Sequence, residues 1–311
     1  MKRKMLNVPK GGYDGMKGFT IVEFLVAGLL SVIVLIAVVS SYFTSRKLND
    51  AANERLAIQQ DLRNAATLIV RDARMAGSFG CFNMSEHIEQ DVVSDVTQKK
   101  PLFSLKRNST NKLIPIAESS NIGYQGFTQR LNALIFQYGI DDANASAETT
   151  VVSSCGAISK PGKQIPTLED AKKELKIQDS GKEQNGNIAR QRHVVNAYAV
   201  GRFGNNEEGL FRFQLDDKGE WGNPQLLAKK VKRMDVRYIY VSGCPEDEDA
   251  GKEEQFKYTG KFDSSVTPAG VEVLLDSGSD AKIVASSDNI IYAYRINATI
   301  RGGNVCANRT L

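Results

Sequence analysis

Residues 18–39 read Gly-Phe-Thr-Ile-Val-Glu-Phe-Leu-Val-Ala-Gly-Leu-Leu-Ser-Val-Ile-Val-Leu-Ile-Ala-Val-Val. After Glu23 no charged side chain occurs before Arg46. A helix needs about 20 apolar residues to cross a bilayer, so this stretch is long enough to cross one. An ionisable group inside such a segment is unfavourable unless it has a partner or a function. Glu23 is therefore the first candidate functional residue of the chain.

Positive charge is concentrated ahead of this stretch. Residues 1–18 contain five basic residues and one acidic residue, and so they alone account for the net charge of +4. Without them the chain is formally neutral, which gives no electrostatic reason to expect a nucleic-acid partner. Basic residues beside a membrane span stay on the cytoplasmic side, so the C-terminal part is predicted to face the periplasm or the exterior. The basic residues are Lys2, Arg3, Lys4, Lys10 and Lys17.

The run Lys-Gly-Phe-Thr-Ile-Val-Glu at 17–23 resembles the processing site of type IV prepilins and type II secretion pseudopilins. The resemblance implies that a prepilin peptidase cuts after Gly18 and methylates the new amine of Phe19. It also implies that Glu23, as the fifth residue of the mature chain, pairs with a subunit's N-terminal amine during filament assembly. The alternative is an ordinary signal anchor in which Glu23 lies at the level of the lipid headgroups.

The first segment after the leader is predicted to be one long helix. No proline occurs between Phe19 and Pro101, and a helix could therefore run to about Ala76, where Gly77-Ser-Phe-Gly80 provides a stop. From Arg46 onward apolar residues recur at helical spacing, which predicts an amphipathic helix lying on a globular body. The apolar positions are Leu48, Ala52, Leu62, Ala66, Ile69 and Ala73; the polar positions assigned mainly to other faces are Lys47, Asp50, Glu54, Asp61, Arg63, Arg71 and Asp72.

Beyond Cys81 the sequence turns to strand patterns and polar insertions. The strands at 193–203 and 209–215 are expected to form a hairpin, and all the strands together one antiparallel sheet covered by the helix. Polar insertions at about 140–190 and 245–285 are expected to be surface loops, with a short helix at Leu168–Leu175. The fold class is therefore α+β, with a leader at 1–18, a long helix at 19–77 and an exported β-rich domain at 78–311. The predicted strands are 131–138, 193–203, 209–215, 231–241 and 290–300.

Three runs in the body, at 134–139, 230–238 and 293–300, resemble PilW-type minor pilins, which share an architecture with the secretion pseudopilin GspJ. The resemblance implies a minor pilin in a tip-located priming complex that starts assembly of a type IV pilus. Its implied partners are other minor pilins, the major pilin, the prepilin peptidase and the inner-membrane assembly platform. A pseudopilin of a type II secretion system and a tethered adhesin that binds a ligand through the inserted loops remain alternatives.

Four cysteines follow the membrane segment, and an even number in an oxidising compartment favours disulfides. Of the three possible connectivities, we predict Cys81–Cys155 and Cys244–Cys306, which pair neighbours along the chain. No Cys-x-x-Cys occurs and the chain has only two histidines, so a zinc site is not expected.

Nothing in the sequence assembles a catalytic site, and no enzyme activity, cofactor or metal is expected. His87 and His193 are interpreted as surface or edge residues. The acidic run at 245–254 lacks the alternating spacing of a calcium loop and is interpreted as a solvated loop.

Overall fold

The computed structural model describes residues 18–93, 106–107, 112–177, 187–205, 208–242, 255–276 and 294–300. The chain divides into two compact units, one ending at Ala57 and one beginning at Ile58. Each unit is described by itself.

The first unit is helical. Helix α1 (Ile21–Met75) begins in it, as the proline-free sequence predicts, and the large apolar side chains of this unit from Phe19 to Phe43 are exposed. The helix is long and apolar enough to cross a membrane, which is compatible with single-pass anchoring.

In the second unit, α1 packs on the body from Ile58 onward rather than from Arg46. Leu48 and Leu56 are 66% and 61% exposed, whereas Leu62 and Ile69 are buried. Apolar spacing identifies a helix face that is suited to burial, but it does not say whether the chain itself covers that face. The sequence therefore placed the start of the packed region too early.

The helix ends at two glycines, as predicted. Gly77 has a φ of +80° and Gly80 a φ of +67°, a backbone conformation that favours glycine. A Cβ added at Gly77 would also come within 3.0 Å of Pro115. The Gly77 N–H donates to the Gln137 carbonyl at 2.9 Å, which joins the helix exit to the sheet.

The body consists mainly of strands. A short second helix, α2 (Leu168–Glu174), lies close to the predicted helix at 168–175 and is capped by the Thr167 hydroxyl, which accepts from the Asp170 N–H. The strands are β1 Ser78–Phe79, β2 Phe82–Asn83, β3 Val92–Val93, β4 Lys106–Arg107, β5 Leu113–Ile114, β6 Ile116–Ser119, β7 Phe127–Gln129, β8 Ala133–Asp141, β9 Thr150–Ser153, β10 Ile158–Ser159, β11 Ala189–Phe203, β12 Gly209–Gln214, β13 Gln225–Lys229, β14 Arg233–Ser242, β15 Gln255–Thr259, β16 Gly270–Asp276 and β17 Tyr294–Thr299.

The larger sheet has nine strands and is organised around β11. This strand of 15 residues pairs antiparallel with β7, β8, β9 and β12. Its pairing with β12 is the hairpin that the sequence predicts. The one parallel pair in this sheet is formed by the short strands β3 and β10.

A second sheet, of four strands in the order β15-β14-β16-β17, is fully antiparallel. The expectation of one sheet for all the strands is therefore wrong. The chain leaves β13 through Lys230, whose φ is +59°, and then begins the new sheet at β14. Alternation of apolar and polar residues shows which face of a strand is buried, but not which strand lies beside it.

The two polar insertions are not loops throughout, and this expectation is also wrong in part. All four residues of β9 are buried, and β16 is an interior strand of the four-stranded sheet with six buried residues. Both strands are surrounded by polar sequence, and this surrounding composition resembles that of loops.

The main core lies between α1 and the two sheets. Leu62, Ala65 and Ile69 of the helix pack there with buried residues of both sheets, including Tyr198 and Tyr238. A smaller apolar cluster surrounds the helix exit, beside the disulfide that joins Cys81 to Cys155. This disulfide is one of the two predicted pairings. The other involves Cys244 and Cys306, which lie outside the described residues.

Candidate functional site

The N-terminal motif forms a capped helix start. The backbone N–H and the hydroxyl of Thr20 both donate to Glu23 Oε2 at 3.0 Å, and the Glu23 N–H donates to Thr20 Oγ1 at 3.2 Å. This reciprocal pattern is a capping box, which satisfies backbone donors that the first turn of a helix leaves unpaired. Thr20 and Glu23 therefore have a local structural role at the beginning of α1.

The same motif is open to its surroundings. Phe19 is 87% exposed, and no atom lies within 4 Å of a Cβ added at Gly18. Within the part of the chain that the structure describes, the only hydrogen bonds of the Glu23 side chain are to Thr20. The Gly18–Phe19 peptide bond and the Glu23 carboxylate are therefore both accessible to another molecule.

The predicted site residues fall in two different units. Gly18, Phe19 and Glu23 lie in the first unit, whereas the disulfide of Cys81 and Cys155 lies in the second. The acidic run at 245–254, between β14 and β15, lies outside the described residues. Among the described residues, no group of three potential metal ligands comes together.

A second carboxylate on the same helix, Asp72, has a very different environment. It is fully buried and accepts hydrogen bonds from the Tyr198 hydroxyl at 2.6 Å and the Asn196 amide at 2.8 Å on Oδ2. Oδ1 accepts from the Tyr138 hydroxyl at 2.9 Å and from the Arg71 guanidinium at 3.2 Å. Five donors on one buried carboxylate make this the most highly connected polar side chain described between α1 and the sheet.

Strand pairing explains how these partners meet. Asn196 and Tyr198 are two residues apart on β11, so their side chains point to the same face of the sheet. Tyr138 comes from the neighbouring strand β8, and the Arg212 guanidinium on β12 lies 3.7 Å from Asp72. Burial and the adjacent carboxylate raise the pKa of Tyr138 to about 12 and also raise the pKa of Tyr198. Both hydroxyls therefore remain protonated donors.

The sequence pattern does not single out Asp72, because it assigns the charged residues of α1 mainly to other faces of the helix. A signal was nevertheless present. Residues 62, 65, 69, 72 and 76 follow the alternating spacing of three and four that defines one helix stripe, and all are buried. A lone acidic residue on such a stripe requires buried donors opposite it.

The interpretation of His193 as a surface or edge residue is wrong. It lies in the interior of β11, is buried, and contacts Gln137 Oε1 through Nε2 at 3.3 Å. Burial lowers the pKa of His193 to about 3, so the ring is neutral at physiological pH. His87 is half-buried, stacks on Phe82 at a centroid distance of 4.1 Å and contacts Asp91 at 3.0 Å.

Comparisons with family models, with curated proteins and with solved structures find no match to this chain. The functional conclusion therefore depends on the motif and on the geometry described above.

Proposed function

We propose that this chain is a PilW-type minor pilin that helps to initiate assembly of a type IV pilus within a tip-located priming complex. The observation that carries the proposal is the N-terminal motif. A Gly-Phe junction precedes an exposed carboxylate, which stands at the start of an apolar helix that could cross a membrane. The role is structural rather than enzymatic.

The proposed processing step depends on access to one peptide bond. A prepilin peptidase cuts between Gly18 and Phe19 and methylates the new amine, which leaves a cation on Phe19 one helical turn from Glu23. The exposure of both residues of this bond supports the proposal.

The proposed assembly step depends on charge neutralisation. The Phe19 amine and the Glu23 carboxylate are each unfavourable alone in a membrane, because the lipid offers no counter-charge. When two subunits lie side by side, the carboxylate of one meets the amine of another in a medium of low dielectric constant. The pairing favours association and fixes the axial offset between the helices.

Location and partners follow from this scheme. Before assembly, the subunit is anchored in the inner membrane with its β-rich body in the periplasm, since the basic residues of the leader remain on the cytoplasmic side. After assembly it lies in the pilus, with other minor pilins and the major pilin as neighbours. In the pilins that this chain resembles, a tip-most subunit often lacks this carboxylate, so the presence of Glu23 favours a position below another subunit.

Two measurements test the proposal. Mass spectrometry of the N-terminal peptide from the membrane-bound protein should detect N-methylated Phe19 and no residue before it. Deletion of the gene should remove surface pili and leave type II secretion intact. An intact leader would contradict the processing step, and loss of secretion with normal pili would assign the chain to a secretion system instead.

A further inference from the structure

The four-stranded sheet has a second face, opposite the core, that is not required for the proposed processing or helix pairing. Along β16, Val271 and Val273 point into the core, and Glu272 between them points to the opposite face. We call this opposite side the outer face. Although Glu272 lies on this face, its side chain is fully buried.

Two arginines cover the Glu272 carboxylate. Arg237 on β14 donates from Nη1 to Oε2 at 3.2 Å, and Arg295 on β17 donates from Nε and Nη2 to Oε1. Because β14 and β17 flank β16, the two guanidinium groups approach from opposite sides. Their side chains remain 50% and 62% exposed, so each also faces the surroundings.

Within this group of three side chains one positive charge is left over, and the next carboxylate on the same face of β14, Asp235, lies 2.7 Å from Arg233. Both guanidinium groups are charged at any physiological pH, and they share a single carboxylate. Each guanidinium has five N–H donors, of which one in Arg237 and two in Arg295 are used on Glu272. The planar donor edges that remain suit a second carboxylate, which such edges can bind through two parallel hydrogen bonds.

Aromatic side chains extend the outer face beside this charge. Phe256 and Tyr258 on β15 are 58% and 55% exposed, and they lie opposite Val241 and Ile239 of β14. Among the described residues, β15 pairs with β14 alone and therefore forms an edge of the sheet. Aromatic residues and arginine are the side chains most enriched where proteins contact one another.

We propose that the outer face binds a partner protein, whose carboxylate bridges Arg237 and Arg295 and whose apolar side chain covers Phe256 and Tyr258. One surplus charge suits a single acidic residue, whereas recognition of anionic lipid uses clusters of about four to eight basic residues. The exposed aromatic pair adds an apolar contact that a simple anion would not use. This interaction goes beyond the proposed helix pairing, and it involves no residue of the N-terminal motif.

The test is site-specific photo-crosslinking of the full-length chain in its native cells, with p-benzoylphenylalanine in place of Tyr258. The same label is placed in chains that carry Arg237→Gln, Arg295→Gln or the control Arg202→Gln. Each of the first two substitutions cancels the surplus charge and leaves one guanidinium on Glu272, so the sheet retains its buried counter-ion. Arg202 is an exposed arginine on β11 in the other sheet.

We expect one protein adduct, whose yield falls at least fivefold with Arg237→Gln or Arg295→Gln and changes less than twofold with Arg202→Gln. The crosslinked partner segment should contain an acidic residue, and its replacement by the amide should lower the yield by a similar factor. Equal yields in all variants, an adduct with lipid or with a second copy of the chain, or no adduct would overturn the proposal. Piliation is scored separately, so an arginine-dependent adduct in a strain whose pili do not depend on this chain would reject only the proposed function.

Discussion

Two carboxylates on the same helix, Glu23 and Asp72, have opposite environments. Glu23 is exposed and is bonded only to Thr20 among the described residues, one turn away. Asp72 is fully buried, and three of its donors come from residues 66 to 126 positions away in the sequence. The hydrogen-bonding capacity of the Asp72 carboxylate is used within the fold, whereas the Glu23 carboxylate remains available to another molecule.

The apolar side chains of the two units differ in exposure in the same sense as the two carboxylates. In the first unit they are exposed over the whole of the uncharged stretch, and in the second most of those described are buried in the core. Exposed apolar area of this extent needs a membrane or other chains to cover it. The first unit is therefore suited to contacts outside the chain, and the interior of the second to stability.

The largest expected effect on stability comes from Asp72→Asn. The substitution places an amide among three donors and two guanidinium groups, and breaking a buried ionic network of this kind costs about 3–5 kcal/mol. Urea unfolding of the full chain in detergent should show this loss in the free energy of unfolding. Asp50→Asn, on an exposed part of α1, should change it by less than about 0.5 kcal/mol. An equal loss in the free energy of unfolding for both substitutions would show that burial of the carboxylate does not determine its contribution to stability.

A slightly smaller effect is expected from removal of the disulfide with Cys81→Ala and Cys155→Ala together. The crosslink spans 74 positions, for which the loop-entropy model gives about 4 kcal/mol, and measured losses are often lower, at about 2–4 kcal/mol. The free energy of unfolding should fall by this amount, while membrane anchoring of the first unit should not change. If the variant without the disulfide no longer remained in the membrane, anchoring by the first unit would not be independent of the stability of the second.

The pH dependence of stability should reflect His193. Its pKa is about 3 in the folded chain, compared with about 6.5 for an unperturbed histidine. Because the unfolded chain binds this proton first, stability falls as the pH decreases from about 6.5 to about 3. The slope from this residue is at most about 1.4 kcal/mol per pH unit. His193→Gln should remove that contribution from unfolding curves measured between pH 4 and 7, and unchanged slopes would contradict the burial of a neutral ring.

The sequence predicts the parts of the fold whose patterns are local. The long helix follows from the absence of proline, its end from Gly77, and the hairpin of β11 and β12 from two alternating runs around a polar turn. The strands β9 and β16 escape detection because they lie within polar sequence. Asp72 escapes it because its donors come from strands that are distant in the sequence. The proposed role of Glu23, in contrast, depends on resemblance of the motif rather than on any contact within the chain.

The central claim, that the Glu23 carboxylate serves assembly rather than only its own helix, can be tested by comparing Glu23→Ala with Thr20→Ala. Both substitutions break the capping box, but only Glu23→Ala removes the carboxylate. Each variant should be the only copy in the cell, and surface pili and co-purified partner pilins should be measured together. We predict that Glu23→Ala preserves membrane insertion and cleavage but strongly reduces both quantities, whereas Thr20→Ala retains most of each. Normal piliation with Glu23→Ala, or an equal loss in both variants, would contradict the account.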